Sequence, residues 1–69
     1  MQRVTQNKTI VLRMFAKKVP NAESMAIDYG RNTLTVWFDG IHSKEYKVSE
    51  IIEQFEIASK ANGFSVVWE

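Results

Sequence analysis

At 69 residues, with 45% hydrophobic and 25% charged side chains, the chain has the balance of a small globular domain and not of a disordered segment. It holds no cysteine and one histidine, which excludes a disulfide framework, a thiolate zinc site, a cysteine nucleophile and a multi-histidine metal centre. The net charge of +1 hides an asymmetry: residues 1–22 carry Arg3, Lys8, Arg13, Lys17 and Lys18 and no acid, while residues 23–69 carry eight acids against four bases. Such polarity suits an electrostatic partner, or a basic element lying beside an acidic one within the fold.

In chain order, Met1 to Lys8 are polar and lack the apolar core of a secretory signal. No later stretch reaches the roughly 18 apolar residues of a membrane span, so the expectation is a cytoplasmic protein with no membrane partner. Asn7 can cap a helix from about Lys8 to Lys18, closed by Val19-Pro20, and Leu12, Arg13, Met14, Ala16 and Lys17 favour it. The β-branched run Thr9-Ile10-Val11 leaves a strand as the alternative, and Pro20 to Glu23 form a loop in either case.

Met25-Ala26-Ile27-Asp28-Tyr29 alternates, Gly30-Arg31-Asn32 is a turn signal, and Thr33 to Phe38 alternates again. This is a β-hairpin whose Leu34, Val36 and Phe38 face the core, leaving Thr33, Thr35 and Trp37 on the reverse side. Asp39-Gly40 marks the next turn, and Ile41 to Val48 reads as a charged edge strand.

Ser49 is positioned to cap a helix over 50–62, with Glu50 and Glu53 near the positive end of its dipole and Asn62-Gly63 as its left-handed stop. Ile51, Ile52, Phe55, Ala58 and Ala61 form its apolar face. Phe64 to Trp68 then reads as a terminal strand that should pair within the sheet. The fold expected is one α+β domain over 1–69, in the order α-β-β-β-α-β. An antiparallel sheet of three or four strands carries helix 50–62 on one face, and the basic first segment lies on the other face or along an edge.

The chemistry is sparse. Gly30, Gly40 and Gly63 belong to turns and a cap, so no phosphate cradle is present. The five serines and His42 make no nucleophile elbow, and Glu50, Glu53 and Glu56 read as a solvated helix face and not as a calcium loop. The expectation is no catalytic residue, no metal and no cofactor. Trp37 is the residue to watch: it is either roofed by Ile10, Val11, Met14 and Phe15 or exposed as a docking anchor. With Thr35 and the cations Arg13, Lys17 and Lys18, it makes the candidate partner-binding set.

The pattern Met25-x-Ile27-x-Tyr29, Leu34-x-Val36-x-Phe38-x-Gly40, Tyr46-x-Val48, Phe55, Ala58, Ser59 and Gly63 resembles the small domain found at the C-terminus of some lysyl-tRNA synthetases and alone in short bacterial proteins. It spans about 40 residues, with Ser49 standing where that pattern has proline. The resemblance implies a hairpin-plus-helix fold and a connection to RNA.

The functional expectation is a non-enzymatic protein-binding module, of the bacterial or phage accessory kind, that docks on and modulates a larger protein. One alternative is a nucleic-acid-binding module using the basic N-terminal segment, although the Glu-rich start of helix 50–62 repels phosphate. Another is a homo-oligomeric structural piece joined through the edge strand or Trp68. Monomer and homodimer both stay open.

Overall fold

The computed structural model describes residues 2–69. Its elements are β1 (Gln2–Gln6), α1 (Lys8–Lys18), β2 (Ser24–Asp28), β3 (Thr33–Trp37), β4 (Ser43–Lys47), α2 (Val48–Ala61) and β5 (Phe64–Trp68). The architecture is α+β, with an antiparallel sheet in the order β2-β3-β4 and a separate parallel pair, β1-β5.

The first segment is helical from Lys8, as its propensities require, and Asn7 caps it by accepting the Ile10 backbone N–H through its side chain. A strand precedes it, however, so the order is β-α-β-β-β-α-β and not α-β-β-β-α-β. β1 carries little strand signal in the sequence, because Val4 is its only aliphatic residue; its partner strand supplies the apolar character. β5 accordingly pairs with β1, Val4 against Val66, and not with the hairpin sheet.

The hairpin register follows the alternation. Met25 lies opposite Val36, Ile27 opposite Leu34, and Leu34 opposite Tyr46. Leu34 and Val36 are fully buried and Phe38 packs at the margin of the same core, while Thr35 and Trp37 are on the reverse side. Both helices cover the inner face. Val11, Leu12 and Ala16 of α1 join Val48, Ile51 and Ile52 of α2 over Leu34 and Val36.

This corrects the expected placement of the basic segment, which lies neither on the far face nor along an edge. A lone α2 would leave half the inner face wet, and α1 offers a matching apolar stripe. The 15 Å short dimension of the molecule accommodates one sheet and one helical layer.

The start of α2 also differs from expectation. Val48 is its buried first residue and not the end of a strand, and Lys47 occupies the cap position without a side-chain cap bond. Ser49 does not cap; Asn32 does so from the β2–β3 turn. Its carbonyl accepts the Val48 N–H at 3.0 Å and its Oδ1 accepts the Ser49 N–H at 2.9 Å. Asn32 can do this because it holds a left-handed backbone, φ 57°, a conformation asparagine tolerates better than most side chains. At the far end Gly63, φ 84°, turns the chain into β5. Ala58 and Ala61 are exposed, so the buried face of α2 is narrower than its apolar pattern suggests.

Candidate functional site

The two helices do not close over the sheet completely. Between them runs a groove of about 410 Å³. From α1 it is lined by Val11, Met14, Phe15 and Lys18, which recur at i, i+3, i+4 and i+7 and so share one helix face. From α2 come Glu50, Ile51, Gln54 and Phe55, and Tyr46 of β4 also contributes to the wall.

Phe15 meets Tyr46 edge to face, with ring centroids 5.0 Å apart, and Lys44 Nζ lies 5.1 Å from the centre of the Tyr46 ring. These contacts fix two aromatic side chains in orientation and leave Met14 about half exposed, at 49%. The groove therefore has an apolar floor, with one ammonium contributed by α1 and one carboxylate by α2. Its volume lies in the range of small-ligand and side-chain pockets.

The residues singled out from the sequence are divided among three places. Lys18 lines the groove. Arg13 and Lys17 line a smaller recess of about 240 Å³ beside the start of β2, together with Glu23 and Ser24. Trp37 and Thr35 lie on the outer sheet face, where Trp37 is flanked in register by Ser24 and Ser43, and Thr35 by Ala26 and Glu45. Trp37 is half-buried, but α1 is not its roof, because α1 packs on the opposite face.

The charge asymmetry has a structural counterpart in the adjacency of α1 and α2. It is not realised as ion pairing: among the described residues the one close charge pair is His42 with Asp39, Nδ1 to Oδ2 2.7 Å, in the exposed loop before β4. The Asp39 carboxyl is held below its ordinary value by the His42 backbone N–H, then by the His42 side chain and the Ile41 backbone N–H. Both residues are well exposed, and this is a loop-ordering device with no cleft around it. Among the described residues no three His, Cys, Asp or Glu side chains gather as metal ligands.

The sequence offers Met14 and Phe15 as a roof for Trp37, with an exposed Trp37 as the alternative; in the structure the two residues form one wall of a groove. The signal was present in the i, i+3, i+4, i+7 spacing from Val11 to Lys18, but the facing wall depends on which side of the sheet α1 occupies. Among the described residues no helix is long and apolar enough to cross a membrane. No protein-family model, no curated protein and no solved structure matches this chain.

Proposed function

We propose that this protein is a non-enzymatic binding module that docks on a larger protein, and that its receptor surface is the groove between α1 and α2. The occupant is an amphipathic helix of the partner, whose large apolar side chains enter between Met14, Phe15, Ile51 and Phe55. The observation that carries this reading is the apolar groove itself, bordered by Lys18 and Glu50, so that a segment with an apolar centre and charges of both signs finds a counterpart.

The test is recovery of a binding partner by the tagged chain, with mass identification, compared with two variants checked for fold by circular dichroism. Met14→Glu keeps a good helix former and puts a charge into the groove; Trp37→Ala alters only the outer face. A protein retained by wild type and Trp37→Ala but lost from Met14→Glu supports the reading. A folded chain that recovers nothing above background, or a partner indifferent to Met14→Glu, ends it. A partner lost only from Trp37→Ala would move the docking surface to the outer sheet face, which holds Thr35 two positions before Trp37 on the same side of β3.

A further inference from the structure

The pair β1-β5 is an unusual piece of structure. Parallel strands are normally found within larger sheets, and a two-stranded ribbon has little stability of its own. Each of β1, β2, β4 and β5 pairs with a single neighbour and so has a free edge. Three carry charge in the strand itself: Arg3 in β1, Asp28 in β2, and Lys44, Glu45 and Lys47 in β4. Charge on an edge discourages pairing with another chain. β5, Phe64-Ser65-Val66-Val67-Trp68, carries none and is rich in β-branched and aromatic residues.

The ladder with β1 determines which backbone groups of β5 remain available. Gly63 C=O accepts from Gln2 N–H, and Glu69 N–H donates to Gln6 C=O. The odd-numbered positions of β5 thus address β1, and the N–H and C=O groups of Phe64, Val66 and Trp68 point to the opposite edge. Phe64, Val66 and Trp68 also share one side-chain face, on which Trp68 packs against Phe55 of α2 with centroids 5.7 Å apart.

We propose that β5 pairs antiparallel with β5 of a second copy of this chain, about a two-fold axis between their Val66 residues, giving the continuous sheet β1-β5-β5-β1. The strand is self-complementary in this register. Val66 faces Val66, and Phe64 faces Trp68 of the second copy in both directions, so all three free N–H groups and all three free C=O groups find partners. Each end of the junction gains an aromatic pair, and Ser65 faces Val67 without opposing like charges. A two-fold interface of this kind closes on itself and stops at two copies. A foreign strand could use the same edge, but the match between the two ends of β5 favours a second copy.

The register gives a direct test, free of background because the chain has no cysteine. Ser65 and Val67 of opposing copies form a non-hydrogen-bonded pair, whose Cα separation of about 4.5 Å suits a disulfide. Like positions of the two copies lie on diagonals of roughly 7–8 Å. The expected result is a sedimentation-equilibrium mass twice the chain's 8.0 kDa. On mild oxidation, an equimolar mixture of Ser65→Cys and Val67→Cys chains should cross-link about tenfold faster than either variant alone. A folded chain that remains at 8.0 kDa over the accessible concentration range overturns the proposal. So does a dimer whose cross-linking shows no preference for the mixed pair. Neither result bears on the groove between α1 and α2.

Discussion

Asn32 and Ser49, 17 positions apart, exchange two hydrogen bonds: Asn32 Oδ1 accepts the Ser49 N–H and Asn32 Nδ2 donates to Ser49 Oγ, each at 2.9 Å. A turn residue of the hairpin thereby closes the N-terminus of α2, and the sheet and the helix that covers it become one unit. Replacing Asn32 by glycine keeps the left-handed backbone accessible and removes both side-chain bonds, at an expected cost of about 0.5–1.5 kcal/mol for each bond. Replacing it by alanine adds roughly 1–2 kcal/mol for the left-handed conformation. Urea denaturation of the two variants should give the order wild type, Gly, Ala. A Gly variant as stable as wild type would show that the cap contributes nothing.

A second tether joins α1 to the same hairpin. Thr9 Oγ1 and Tyr29 Oη lie 2.6 Å apart, and both belong to partly or fully exposed residues. Thr9→Val, Tyr29→Phe and the double variant form a cycle whose expected coupling is about 0.5–1.5 kcal/mol. A coupling indistinguishable from zero would show that solvent competes the bond away.

The centre of the core is Leu34, which is fully buried, whereas Phe38 and Phe55 are only partly so. Leu34→Ala is expected to cost about 2–5 kcal/mol. At this chain length the whole stability is on the order of 3–10 kcal/mol, so Leu34→Ala should leave a large unfolded fraction detectable by circular dichroism. Phe38→Ala should cost less despite removing more atoms. The reverse order in thermal melts would contradict the packing described.

The loop before β4 should respond to acid. Asp39 Oδ1 accepts the Ile41 and His42 backbone N–H groups at 2.9 and 2.6 Å. Its carboxyl is depressed in the folded protein relative to the ordinary 3.8, chiefly by the His42 N–H. A depressed acid stabilises the ordered loop above 3.8 and loses that contribution as pH falls through its folded value. The amides of Ile41 and His42 should therefore titrate in NMR spectra with a midpoint below 3.8, and Asp39→Asn should abolish the transition. A midpoint above 3.8 would reverse the sign of the effect.

What could be read from the sequence follows from how local each signal is. The alternation from Thr33 to Phe38 set Leu34 and Val36 inward and Trp37 outward, because period-two patterning needs no knowledge of the rest of the chain. The C-terminus of α2 at Asn62-Gly63 was legible for the same reason. The side of the sheet chosen by α1 was not, because that helix offers apolar residues around much of its circumference: Val11, Leu12 and Phe15, but also Ile10 and Met14, which remain half exposed. Nor was the cap on α2, because Ser49 has the right chemistry in the right place and only the folded turn shows Asn32 there instead. The groove inherits this difficulty, since both of its walls had to be placed before it could exist.

Because β1 and β5 run in the same direction, a force drawing Gln2 away from Trp68 slides the strands lengthwise past one another. The rungs between them then bear the load together, whereas the β2–β3 hairpin, pulled apart from its open end, would unzip one rung at a time. Tension applied between these two strands therefore loads this mechanical clasp before it reaches either helix.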